Sequence, residues 1–256
     1  MPVDPHAQPF SADGGRTGVL VLHGFTGSTA GIQPWADAIA AEGYAVEAPR
    51  LPGHGTSWQE LNRTRWQDWY SEASNGLTVL RDRCDEVFVA GLSMGGCLAL
   101  RLAEEREVDV AGLILVNPIV ISQRKALLAL PVLKRFLASV GAIANDIKKP
   151  GVTEHAYART PLRALDSQRD LWRVTREDLA KITAPIVLFR SVEDHVVEPL
   201  SSQMIVQRVS SRDVNERVLD DSYHVATLDN DAETIVVESL EFIRKHTALP
   251  DDDDAL

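Results

Sequence analysis

Cysteine is nearly absent from this chain. Cys84 and Cys97 are its two sulfhydryls in 256 residues, too few for a disulfide framework, so the fold must be held by its core. Cys97 falls on an apolar helical pattern and reads as a buried thiol. Positive charge is also scarce: 26 lysines and arginines against 37 acidic residues give a net charge of −11. No basic patch is present to meet a phosphate backbone, which excludes nucleic acid as a partner. Part of the acidity is the run Asp251-Asp252-Asp253-Asp254, expected to be a solvated, disordered end. No apolar run is long enough to span a bilayer, and no N-terminal stretch has the charged-then-apolar form of a secretory signal. The expected location is therefore the cytoplasm. Internal repeats and linkers are missing too, so a single domain is expected. What is present is ordinary for a globular protein, 45% hydrophobic and 25% charged residues, enough for one large core at this length.

The most informative stretch is Val87-Phe88-Val89-Ala90 running into Gly91-Leu92-Ser93-Met94-Gly95 and then Cys97-Leu98-Ala99-Leu100. A β-branched and aromatic run predicts a buried strand, and the helix formers after the second glycine predict a helix. A serine bracketed by glycines between a strand and a helix is a nucleophile elbow. The turn projects the Ser93 hydroxyl clear of the sheet, and any Cβ at positions 91 or 95 would collide with the neighbouring strand or helix. The new helix also begins beneath the serine, where its free amides face a developing negative charge.

Taken in order, residues 1–16 read as a loosely held entry segment. Residues 17–22 form the first strand, apolar throughout as in a sheet covered on both faces. It ends in His23-Gly24-Phe25-Thr26-Gly27, the kind of loop that supplies a second oxyanion amide. The backbone N–H groups of Phe25 and Met94 are the expected pair. His23, at the end of a buried strand, and His54, in a turn-rich loop, are read as structural. Helices are expected over 32–42 and 66–81, and further strands over 44–48 and 110–116. Strand and helix alternation then stops, and residues 119–169 show no convincing strand. The greasy run 126–137 predicts an amphipathic helix there. Inserted at the C-terminal edge of a sheet, where ligands bind, residues 119–169 are expected to form a cap. Its apolar residues Leu127, Leu130, Leu133, Phe136, Leu137 and Ile143 would line an acyl tunnel or touch a lipid surface. Alternation resumes with strands at 185–190 and 216–219, a loop and helix over 196–209, and a closing helix over 234–246. The pattern is a doubly wound, mostly parallel α/β sheet with one inserted cap.

A serine hydroxyl needs a base within reach, and the base needs a carboxylate to fix its tautomer. In this architecture the chain order is serine, acid, histidine. Ser93, then the loop Ser191-Val192-Glu193-Asp194-His195, then His224 satisfy it, each just past a predicted strand. Spacing leaves Glu193 and Asp194 both open as the acid.

The segments LHGFTG, GLSMGG, SVEDHVVEP and DSYHVATLD, with RLPGHGT and AYARTP between them, resemble the α/β-hydrolase superfamily. Within it the likeness is to bacterial carboxylesterases and, most closely, to the compact monoacylglycerol lipases of bacilli. It spans the chain from Val19 to His246. The resemblance implies Ser93 as nucleophile, Asp194 as acid, His224 as base, and Phe25 and Met94 as oxyanion amides. It also implies a short cap over 119–161, with Ile143 lining the pocket and Glu154 near the glycerol end. No metal or organic cofactor is implied. The expected substrate is a monoglyceride or other small ester, with transient lipid-surface contact through the cap. Two other readings stand beside this one: a broad carboxylesterase on short soluble esters, and a non-enzymatic binding protein on the same scaffold. A serine, acid and histidine in the right order argue against the last. The sequence leaves the oligomeric state open.

Overall fold

The computed structural model describes residues 2–247, and the acidic run 251–254 lies outside them. In chain order the elements are β1 (Phe10–Ala12), β2 (Thr17–Leu22), α1 (Gln33–Ala41), β3 (Ala45–Ala48), α2 (Trp58–Leu61), α3 (Trp66–Arg81), β4 (Glu86–Leu92), α4 (Met94–Glu105) and β5 (Gly112–Val116). There follow α5 (Leu130–Leu133), β6 (Ser139–Gly141), β7 (Arg159–Pro161), α6 (Leu162–Asp178), β8 (Ile186–Ser191), α7 (Leu200–Arg208), β9 (Val214–Leu219) and α8 (Ala232–His246). Seven strands form one sheet in the order β1-β3-β2-β4-β5-β8-β9, and all neighbours are parallel except β1 with β3.

Side chains alternate across this sheet with period two. Leu20, Leu22, Val87, Val89, Leu113, Leu115, Ile186 and Leu188 face one core, with Trp69 and Leu77 of α3, Leu98 of α4 and Leu171 of α6. Val19, Val21, Phe88, Ala90, Ile114, Val116, Val187 and Phe189 face the other, with Trp35 and Ile39 of α1 and Ile235 and Ile243 of α8. Both faces are covered, which is why the strands read as unbroken apolar runs rather than alternating ones. Each such aliphatic side chain contributes roughly 1.5–3 kcal/mol on burial. The strand β9 closes the sheet as a charged edge, with Glu216 paired to Arg190 and Arg217 to Glu238. No described helix is long and apolar enough to cross a membrane.

The structure departs from the sequence reading in four places. Residues 1–16 are not merely an entry segment: Phe10 and Ala12 pair with Ala48 and Val46 to make β1, a strand too short to show a period. Residues 119–169 do contain strands, since β6 and β7 pair through Ser139↔Pro161, Val140↔Thr160 and Gly141↔Arg159. The run 126–137 is not one helix but a 3-10 turn, Lys125–Leu128, followed by the single turn α5. Pro131 explains the break: it lacks the amide a continuous helix would use and is tolerated only where a helix begins. The helix α6 starts inside the expected cap boundary and runs beyond residue 169.

The order of strand addition reverses at β2, with β3 on one side of it and β4 on the other, all three parallel. The loops after β2 and β4 therefore diverge and open a crevice at the sheet's C-terminal edge. The first turn of α4 lies hard against that edge. A Cβ on Gly95 would fall 2.1 Å from the Leu22 carbonyl oxygen, and one on Gly91 would fall 2.3 Å from the Gly95 carbonyl carbon. Gly95→Ala should therefore cost at least the ~1–3 kcal/mol of an overpacked core. Thermal denaturation should show a Tm lower by roughly 3–10 °C. Gly31→Ala, where a Cβ meets nothing within 4 Å, should leave Tm unchanged, and equal behaviour of the two variants would contradict this packing.

Candidate active site

Ser93 is the residue between β4 and α4, held at φ 56° and ψ −112°, a left-handed conformation that costs a non-glycine residue energy. The backbone on each side fixes it there. Its N–H donates to the Val116 carbonyl at 2.9 Å, and its carbonyl accepts from Cys97 and Ile119 at 3.2 and 3.3 Å. Ser93 lines a cavity of about 280 Å³ together with Gly24, Phe25, Leu92, Ile119 and His224. The loop after β2 lies against it, since a Cβ on Gly24 would sit 3.5 Å from that of Ser93. Phe25 thus borders the serine from one side, and Met94 follows it as the first residue of α4, where amides have no partner within the helix.

His224, in the loop after β9, reaches the same cavity with its side chain almost wholly buried. Its Nδ1–H donates to Asp194 Oδ2 at 2.8 Å, and that fixes Nε2 as the nitrogen able to accept a proton. The other Asp194 oxygen accepts the amides of Val196 and Val197 at 2.7 and 2.8 Å. Glu193 does not compete for this place. The Asp194 side chain is 6% exposed and that of Glu193 56% exposed, and Glu193 faces His195 at 3.6 Å. Burial opposes ionisation of Asp194, but the adjoining His224 and the two amides outweigh it and hold the carboxyl below its ordinary range. Burial likewise pulls His224 down. The Asp194 carboxylate, with smaller contributions from Glu154 and Asp146, overcomes it and holds the imidazole above its ordinary value.

The other expected residues fall in distinct places. Ile143 and Glu154 both line the cavity. Glu154 Oε1 accepts the Asn145 amide at 2.9 Å, and burial raises its carboxyl. Leu127 is also on the wall, but Leu130, Leu133, Phe136 and Leu137 are not. Leu130 is buried, whereas Phe136 is 80% exposed and Leu133 and Leu137 are also exposed; the break at Pro131 turns this stretch outward. His23 is fully buried, donating from Nδ1 to the Gly24 carbonyl and accepting the Leu51 amide at Nε2. Burial lowers it to about 4, so it is neutral and braces the loop. His54 packs edge-on against it. Burial pushes the Cys97 thiol up to about 12.

Three polar residues that hold the site together were not singled out from the sequence. Asn117, at φ 43° after β5, donates to Ser191 Oγ and the His224 carbonyl and accepts the Ser191 amide. It thereby ties the acid-bearing and histidine-bearing loops to the end of β5, the strand between β4 and β8. Asp146, on the insertion, accepts the amides of both His195 and His224. Asp229 accepts the amides of Lys148, Lys149 and Tyr223. The sole local signal was an Asn-Pro pair at a strand end; the partners of Asp146 and Asp229 lie far away along the chain.

A family model described as the alpha/beta hydrolase family matches residues 19–237. A thermostable monoacylglycerol lipase of Bacillus sp. (strain H-257) is 42% identical over 250 residues, covering 96% of this chain and 97% of the relative. A carboxylesterase of Bacillus subtilis (strain 168) is 28% identical over 242 residues, 93% and 96% of the two chains. A solved structure described with LipS and LipT, metagenome-derived lipolytic enzymes, superposes with a TM-score of 0.93 at 39% identity. It is covered completely, by 96% of this chain.

An imidazole held above its ordinary value by carboxylates accepts a proton only once the solution is more alkaline than that raised value. An ester hydrolysis that uses His224 as base should lose rate as pH falls through an apparent pKa above ~6.5. The kcat/KM profile on a chromogenic ester measures this, and a rate flat down to about pH 5 would exclude His224 as the base.

Proposed function

The chain belongs to the alpha/beta hydrolase family, and from that membership we propose that it cleaves monoacylglycerols to glycerol and fatty acid, with Ser93 as nucleophile, His224 as base and Asp194 as acid. It is a carboxylic ester hydrolase. One observation carries the assignment of roles: a strained serine at the head of α4 shares a cavity with a buried histidine whose far nitrogen is bound to a buried carboxylate.

His224 Nε2 takes the hydroxyl proton as Ser93 Oγ attacks the ester carbonyl. The backbone amides of Phe25 and Met94 stabilise the oxyanion, aided by the positive end of α4. Collapse of the tetrahedral intermediate breaks the bond to glycerol, whose oxygen receives the proton from His224. A water molecule, deprotonated by the same imidazole, then attacks the acyl-enzyme; the bond to Ser93 Oγ breaks, His224 returns the proton to that oxygen, and the acid leaves. Asp194 stays ionised and steadies the imidazolium. The reaction uses no metal or organic cofactor.

The substrate assignment is supported by the cavity. At about 280 Å³ it lies just below the roughly 300–1,000 Å³ of most ligand pockets, a fit to one acyl chain rather than three. Ile119, Leu127, Val140, Ile143, Leu165 and Trp172 give it an apolar wall, and each methylene buried there contributes up to about 0.8 kcal/mol. Glu154 stands at the polar end. With Oε1 bound to the Asn145 amide, its other oxygen accepts from glycerol hydroxyls. Residues 119–161 serve as the cap of a single domain. Leu128, Val132, Phe136 and Leu137 are exposed there and rest transiently on a lipid surface.

Ser93→Ala should lower kcat by roughly 10⁴-fold or more and abolish labelling by a fluorophosphonate. Asp194→Asn should be similarly damaging and Glu193→Gln mild, and the opposite order would reassign the acid. Glu154→Gln should narrow the preference for a monoglyceride over the methyl ester of the same acid, because the site then loses its glycerol acceptor. Wild-type enzyme that turns over both esters equally would move the chain to the broad carboxylesterase reading.

A further inference from the structure

The insertion does more than cover the cavity. Asp146, on the segment between α5 and β7, has a side chain only 9% exposed and is spent on the two loops that carry the acid and the histidine. Its Oδ2 accepts the His195 amide at 3.1 Å and the His224 amide at 3.2 Å. Its Oδ1 accepts from His195 Nδ1 at 2.7 Å, and its own carbonyl accepts the Val225 amide at 3.0 Å. His195 adjoins Asp194 in the chain, so one carboxylate of the insertion bridges the acid loop and the histidine loop. Asp146 also lines the cavity itself.

We propose that Asp146 is a positioning residue that makes the alignment of His224 with Asp194 depend on the insertion being seated over the cavity. This rests on the hydrolase reading above. Asp229 strengthens the same seat by taking the amides of Lys148 and Lys149 while holding Tyr223. An insertion that lifts away to admit substrate pulls Asp146 off both loops and relaxes the catalytic pair; reseating restores it. Water thus meets an assembled site mainly when the cavity is covered. The charged groups facing the His224 imidazole are Asp194, Glu154 and Asp146, so loss of one carboxylate also removes part of the field on it.

Asp146→Ala removes the acceptor of both amides and should lower kcat by roughly 10–100-fold, the cost of a small misplacement, with KM changed much less, and should move the acid limb to lower pH. Asp146→Asn can keep an oxygen on both amides while its NH₂ turns toward His195 Nδ1, so it should lose less kcat while sharing the shift of the acid limb. Fluorophosphonate titration counts the folded, competent sites. If both variants keep wild-type kcat per labelled site and an unmoved acid limb, Asp146 is merely structural and the proposal fails. If wild-type Ser93 does not label at all, the hydrolase reading fails instead.

A second group stands apart from the cavity. Asp4, His6 and His155 place one ligand atom each within 4.8 Å of one another. The two imidazoles stack with ring centroids 4.2 Å apart. No ring nitrogen of either is hydrogen-bonded to another described residue. The backbone sets the three side by side: Asp4 caps the turn Pro5–Ala7 and its amide donates to the Gly55 carbonyl, while His155 is held at φ 55°. Two imidazoles and a carboxylate suit a divalent first-row transition ion, with nitrogen ligands at about 2.0–2.1 Å for zinc. The exposed rings can close the small remaining distance. We infer that these three residues bind such an ion, linking the entry segment to the insertion next to Glu154, without part in the ester chemistry.

Zinc chloride added to the whole protein should bind with one-to-one stoichiometry by calorimetry. It should raise Tm by roughly 5 °C or more at a hundred times its dissociation constant. His6→Ala and His155→Ala, neither of them in the catalytic machinery, should each weaken binding at least about tenfold, as loss of a direct ligand demands. No heat and no Tm shift up to millimolar zinc would overturn the site, as would binding undiminished in both variants.

Discussion

Ser93 stands in a left-handed conformation because its surroundings leave the backbone no room to relax. Its amide and carbonyl are bonded to residues of β5 and of the segment after it. The two glycines flanking it let α4 approach β2 and β4 more closely than any side chain would allow. The strain is local, of order 1–3 kcal/mol, and the two hydrophobic layers that clamp β4 offset it many times over. Nearly everything else in the molecule follows from that clamp. Cover on both faces of the sheet buries β4, and the parallel pairing along β3-β2-β4-β5-β8-β9 delivers the loops after those strands to a single edge. There the serine, the histidine and the acid arrive from three different strands.

The electrostatics of the edge follow from its burial. A neutral histidine in an apolar cavity would be a weak base, for desolvation alone depresses it, as it does His23 to about 4. His224 is just as buried yet lies above its ordinary value, and the difference is the carboxylate on its Nδ1. Asp194 in turn stays ionised because it meets two backbone amides and the imidazole rather than water. The same fold thus leaves one buried histidine below its ordinary value and holds another above it, by withholding or supplying one partner.

This contrast shows what could be read from the chain. The strand-turn-helix around Ser93 is encoded within fourteen consecutive residues, so its period and its glycines were visible, and α3 was legible to the residue because its apolar stripe is uninterrupted. His23 could be set aside from its place at a buried strand end, and His54 from its turn-rich loop. Separating Asp194 from Glu193 needed coordinates or a family resemblance, since neighbours in a loop differ by orientation and not by pattern. The insertion was least legible. Its strands are three residues long, below any detectable period, and its greasy run suggested a tunnel wall where Pro131 instead turns most of the side chains outward. Asn117, Asp146 and Asp229 left almost no trace, because the significance of a polar residue that accepts distant amides lies in its partners.

Those three residues also explain how separate loops can hold a geometry that tolerates little error. The acid and the histidine lie on β8 and β9 loops, and β9 is the exposed edge of the sheet. Edge strands are the least constrained part of such a sheet, so the histidine loop needs anchoring from elsewhere. Asn117 supplies an anchor from the buried centre, bonded to Ser191 and to the His224 carbonyl. Asp146 supplies the other from the insertion above. One anchor is permanent because it is part of the core, and the other is only as firm as the seating of the insertion. With the insertion acting as proposed above, a site built this way is rigid when covered and looser when open, so the alignment of His224 with Asp194 follows the cover over the cavity.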